Sequence, residues 1–188
     1  MRLYVGLVHY PVCDKNNQTI ASAITTTDIH DISRLARTYG LKRFYVVTPL
    51  EDQQELAERI LRHWREGFGA SYNPHRKQAL ELVSIVASLD EAVKDIERVE
   101  GEPPILVATD ASRQEGNRLD YEKARDIVCS EKATLLMLGT AWGLDRAIIM
   151  ESDYILDPIE GGTDYNHLSV RTAAAIILDR LAGRNRKM

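Results

Sequence analysis

Ala133–Leu178 reads ATLLMLGTAWGLDRAIIMESDYILDPIEGGTDYNHLSVRTAAAIIL. It holds two short apolar runs, each closed by a loop, and then a long apolar helix. Thr134–Leu138 is a buried-strand candidate that stops at Gly139-Thr140, and Tyr154–Leu156 is a shorter one that stops at Asp157-Pro158. The helix candidate runs over Leu168–Leu181. Ligands of α/β proteins sit in the crevice outside the carboxyl ends of strands. A ligand site is therefore expected where these strands end and the helix begins.

Upstream, the same alternation continues. Leu3–Tyr10 (LYVGLVHY) is an apolar, β-rich run ended by Pro11, and Asp14–Gln18 is a turn by composition. Asp28 reads as the N-cap of a helix to Tyr39, with Ile29, Ile32, Leu35, Ala36 and Tyr39 on one face and Gly40 as the stop. Phe44–Thr48 is a strand. Glu51–Glu66 is an amphipathic helix, Gly67–Asn73 a loop, and Pro74 opens a short helix. Leu82–Ala87 is a strand, and Ser88 with Glu91 forms a capping box. Ile105–Thr109 is another strand, Asp110–Leu119 a polar loop, and Asp120 caps a helix to about Lys132. The strands are continuous apolar runs, which predicts a mostly parallel sheet with helices on both faces.

The chain has 188 residues, 44% hydrophobic and 28% charged. That length suits a single domain over 1–188, able to bury roughly 70% of its unfolded surface without metal or disulfide. No apolar run reaches the roughly 20 residues of a membrane span. MRLYVGLVHYP enters a strand pattern with no signal-peptide features, so a cytoplasmic protein is expected. Cys13 and Cys129 lie far apart and read as reduced thiols. The net charge of −4 gives no global support for nucleic-acid binding, which a local basic face could still provide.

The usual fingerprints are missing. There is no GxGxxG after a strand, no P-loop, no HExxH among the five histidines and no GxSxG. No metal is expected. What remains is a set of loops. Gly139–Gly143 (GTAWG) lets backbone approach a flat ligand. Ile155–Ile159 (ILDPI) offers backbone donors and acceptors stiffened by Pro158. Gly161–His167 leads into a helix start, with its free amide donors, at Leu168-Ser169. Each is also readable as an ordinary turn or cap. Asp110, just past a strand end, reads equally as a turn acid or as a partner for a ligand hydroxyl. Arg34 and Arg37 flank the inner face of the first helix. Asp28 and Asp31 read as cap and first-turn acids.

Taken in order, these pieces resemble the SPOUT (α/β-knot) superfamily of S-adenosylmethionine-dependent RNA methyltransferases, and within it the small stand-alone members. The first motif of the SpoU-like branch is an asparagine, an arginine six residues on and a glycine six beyond. Asp28, Arg34 and Gly40 hold that spacing in DIHDISRLARTYG, with aspartate in place of asparagine. LLMLGTAWG matches the second motif. YILDPIEGG and NHLSVRTAAAIIL match the third.

The resemblance implies a C-terminal trefoil knot, a homodimer and bound S-adenosylmethionine. It places the cofactor against Thr109, Leu138, Gly139, Thr140, Gly143, Leu156, Pro158, Ile159, Asn166, Leu168 and Ser169. It places Arg34 at the RNA acceptor, as the catalytic residue, on a tRNA or rRNA substrate. Arg37, Lys42, Arg43, Arg184, Arg186 and Lys187 become candidate phosphate contacts. The alternative is a catalytically silent knot protein that binds the cofactor as a sensor or as an RNA or ribosome assembly factor.

Overall fold

A computed structural model describes residues 1–130 and 132–184. Among them a parallel sheet has the strand order β5-β4-β1-β8-β6-β9-β7. The strands are Leu3–Val8 (β1), Arg43–Val47 (β4), Val83–Val86 (β5), Ile105–Thr109 (β6), Arg118–Leu119 (β7), Thr134–Gly139 (β8) and Tyr154–Leu156 (β9). Every pairing in this sheet is parallel. Val12–Cys13 (β2) and Thr19–Ile20 (β3) form a separate small hairpin around the expected turn.

The apolar runs are explained by burial on both faces. Leu3, Val5 and Leu7 of β1 join one core cluster, whereas Tyr4 and Val8 join the other. The first cluster packs under Thr26–Thr38 (α1), Glu51–Arg65 (α2), Pro74–Leu80 (α4), Tyr121–Cys129 (α6) and Val170–Ala182 (α8). The second lies under Leu89–Glu100 (α5) and Arg146–Glu151 (α7). Strands buried on both faces cannot alternate apolar and polar residues, because either parity meets a core.

Ser88 and Asp120 cap their helices as expected, accepting from the backbone of Glu91 and Lys123. Other boundaries move. Thr25, not Asp28, caps α1, its hydroxyl accepting from Asp28 N, and Asp28 falls in the first turn. The α8 helix starts at Val170 behind the cap Ser169. Phe68–Tyr72 (α3) forms a short helix where a loop was expected. The basic residues Arg186 and Lys187 lie outside the described residues.

Candidate functional site

The sheet order brings the carboxyl ends of β8, β6 and β9 side by side. A cavity of about 970 Å³ opens there. Thr109, Leu138, Gly139, Thr140, Gly143, Leu156, Pro158, Ile159, Asn166, Leu168 and Ser169 all line it, with Trp142 beside them. Arg34 does not line it. Its side chain is 62% exposed on the outside of α1 and reaches Asp31 at 3.9 Å.

The loop after β8 is held from behind by the hairpin. Trp142 N donates to Cys13 O (3.1 Å) and Cys13 N to Gly143 O (3.0 Å). Leu144 bridges Val12. The Thr19 hydroxyl donates to Asp145 Oδ2 (2.5 Å). Ala141 sits at φ 51 and Gly143 at φ 109. A side chain on Gly143 would be strained and would meet Asp110 Oδ2 at 3.3 Å, inside the cavity. A Cβ on Gly139 would collide with Leu144 N. The two glycines have different jobs: Gly139 lets the loop fold back on itself, and Gly143 keeps the wall of the hollow open.

The facing loops are tied together. Asp110 Oδ1 accepts from both the amide and the hydroxyl of Ser112 (2.7 Å each). Arg118 donates to Asp157 through Nε (3.0 Å) and a terminal nitrogen (2.5 Å). Asn166 donates to Ala111 O (2.5 Å). Ser169 Oγ accepts from Thr172 N (3.3 Å), so the entry to α8 is fixed as it meets the cavity.

The fourth wall was less legible in the sequence. Ser22, Thr25 and Asp28 line the cavity from the α1 side. Asp28 is only 8% exposed. Its Oδ1 lies 3.1 Å from Arg171 Nε, and a terminal nitrogen of Arg171 lies 3.1 Å from Asp31 Oδ2. No local pattern could reveal a pair separated by most of the chain.

Behind Ser22 stands His9, fully buried. Its Nδ1 lies 3.0 Å from Ser22 Oγ, which lies 2.5 Å from Thr140 Oγ1, and Thr140 donates onward to Val8 O (2.9 Å). Burial pulls the His9 pKa down to about 4, against the opposing pull of Asp28 and a hydrogen bond to Ala23, so the ring is neutral at pH 7.

Of the expected phosphate contacts, Arg43 is committed to Asp95 at 2.8 Å, on the α5 side of the sheet. Arg37, Lys42 and Arg184 are exposed.

The cavity suits a flat, polar-edged ligand. Besides the opening at Gly143, Tyr121 lines it with a hydroxyl that is buried and has no hydrogen-bond partner among the described residues. The Arg180 guanidinium stacks over the Tyr121 ring at 4.7 Å. An orphaned buried hydroxyl is rare unless a ligand or water completes it. Among the described residues no group of three or more His, Cys, Asp or Glu is placed to hold a metal. No helix among them is long and apolar enough to cross a membrane.

Fold and crevice together define a parallel α/β protein with a nucleotide-sized site at its strand ends. The chain belongs to the SAM-dependent RNA methyltransferase family, whose model matches residues 2–183. A protein of Oleidesulfovibrio alaskensis named tRNA (guanine-N(1)-)-methyltransferase is 48% identical over 181 residues, 96% of this chain and 42% of that protein. The chain thus spans under half the length of that relative. An Aquifex aeolicus protein of unassigned activity is 41% identical over 98% of this chain and 90% of its own length. Among solved structures, the A. aeolicus TrmH/SpoU tRNA modifying enzyme superposes with a TM-score of 0.57 at 18% identity, over 96% of this chain and 74% of that one. At that identity the likeness speaks for the fold alone, the mostly parallel sheet flanked by helices that the apolar runs predicted.

Proposed function

We propose that this chain methylates tRNA, with S-adenosylmethionine seated in the cavity at the ends of β8, β6 and β9. The observation that carries this reading is convergence: loops far apart in sequence line one hollow with the residues that the resemblance assigns to the cofactor. The tRNA assignment is supported by the name of the Oleidesulfovibrio relative. When bound, S-adenosylmethionine supplies a methyl group on a positively charged sulfur. The chain's own task is to bind, align and exclude water.

In this reading Leu138, Gly139 and Thr140 face Leu156, Pro158 and Ile159 across the adenine. Thr109, Gly143 and the helix entry at Asn166, Leu168 and Ser169 close over the ribose and amino-acid end. Arg34 lies outside this hollow, so its guanidinium is assigned to the RNA, as a contact on the acceptor's phosphate. Arg37, Lys42 and Arg184 extend that contact.

The reading also includes a homodimer working in the cytoplasm and a C-terminal trefoil knot. The knot is supported by the insertion of β8 between β1 and β6 and by the bond from Asn166 to Ala111, which lays the C-terminal segment against the loop after β6.

Gly143→Val tests the placement. The added side chain is strained at φ 109 and projects toward Asp110. Calorimetry should find S-adenosylmethionine affinity lowered by about a hundredfold or more, equivalent to at least about 2.7 kcal/mol, while circular dichroism shows a folded protein. Undiminished affinity would move the cofactor elsewhere.

A further inference from the structure

We propose that the Asp28 carboxylate takes the proton given up by the RNA acceptor atom, and that Arg171 is the positioning residue that holds this carboxylate in the cavity wall. This inference rests on the methyltransferase reading and adds its substrate class: an acceptor that carries a proton, either a ring N–H or a ribose hydroxyl.

Such an acceptor must lose its proton as it becomes a nucleophile. Four carboxylates line the cavity: Asp28, Asp110, Asp157 and Asp164. Asp110 and Asp157 are, like Asp28, held at Oδ1, by Ser112 and Arg118 respectively, so position and burial distinguish the three. Both stand on the loops assigned to the cofactor. Asp164 is exposed to solvent. Asp28 alone comes from the facing wall, beside Ser22 and Thr25, and it is the most buried of the four. Its Oδ1 is fixed by Arg171, and no donor among the described residues reaches Oδ2. A carboxylate stripped of most of its water and held at one oxygen is a directed proton acceptor at the other.

The charged groups around it are few. Arg171 bridges Asp28 to Asp31, and Arg34 meets Asp31 from the outside. His9 lies behind, neutral. Arg171 therefore positions the carboxylate: one contact holds Asp28 Oδ1, and the second, to Asp31, fixes the angle. In the transfer, the acceptor's lone pair forms the bond to the methyl carbon. The carbon–sulfur bond breaks with its electron pair staying on sulfur. The acceptor's proton passes to Asp28 Oδ2 and afterwards to solvent.

The test uses the full chain, S-adenosylmethionine and total RNA from cells lacking this gene. Asp28→Asn should bind the cofactor by calorimetry within about threefold of wild type. Its labelled-methyl transfer should fall by at least about a hundredfold at neutral pH. The lost rate should return as pH rises, because hydroxide then removes the proton instead; a purely structural lesion gives no such recovery. Arg171→Met should lose rate and Arg171→Lys should restore most of it. The doubly neutral Asp28→Asn/Arg171→Met variant, which leaves neither charge unpaired with the other, should be no slower than Asp28→Asn alone, and the melting temperatures of the four proteins should show coupling.

Full transfer by a folded, cofactor-binding Asp28→Asn protein would overturn the proposal. So would a product methylated at an atom that never carried a proton. Wild-type protein that binds the cofactor but transfers nothing would sink the methyltransferase reading itself, and this inference with it.

Discussion

The two ends of the sheet are built from the same parts to opposite purposes. At β4 and β5 the strands run almost at once into helices. Val47 is followed by α2 at Glu51, and Val86 by α5 at Leu89, with Ser88 capping that helix in between. At β6, β8 and β9 the connections are longer and more polar; they hold one another through Arg118 and Asn166, and Thr19 of the hairpin braces the loop after β8. Short connections leave no crevice. Long, cross-braced ones leave a hollow with a fixed rim. The lesson is that loop length, with the strands unchanged, divides this sheet into a scaffold half and a working half.

If the halves are separable in this way, changes in the scaffold should cost stability and leave the site intact in whatever remains folded. Phe44 is fully buried in β4. Phe44→Ala should lower unfolding free energy by about 3–5 kcal/mol in urea titration, while calorimetry on the folded fraction finds cofactor affinity unchanged. A matching loss of affinity would break the division.

His9 stands on the seam. Its backbone N–H donates to Val47 O on the scaffold side, and its ring reaches Thr140 on the other through Ser22. Its folded pKa is depressed, so the unfolded chain binds the extra proton first as pH falls. Stability is complete above the unfolded value of 6.5 and drains away as pH drops toward about 4. The loss should approach about 3 kcal/mol. Chemical denaturation across that range should show the slope, and His9→Gln should flatten it. The smallest effect belongs to Ser88→Ala. Losing that cap should cost about 1 kcal/mol with no change in cofactor binding, visible as a modest fall in melting temperature.

Much of this was readable in the chain, for definite reasons. The strands show because burial on both faces forces unbroken apolar runs such as Leu135-Leu136-Met137-Leu138. The candidate lining shows because glycine, proline and a helix start follow those runs directly. Other features leave no local trace. The hairpin that braces Trp142 rests on strands of two residues each, too short for any periodicity. The order of strands, with β8 beside β1, is a matter of tertiary pairing. The Asp28–Arg171 pair joins two helices that meet only after folding, so Asp28 looked like a cap when Thr25 has that role.

The pairing of β1 with both β4 and β8 has a consequence for how the molecule comes into being. Strand β1 can find β4 early in synthesis and waits for β8 until residue 134 has been made. Until then the edge of Leu3–Val8 that pairs with β8 in the finished sheet lacks that partner. The crevice needs the loop after β8, so a ligand that fits it also reports that the chain has closed this seam.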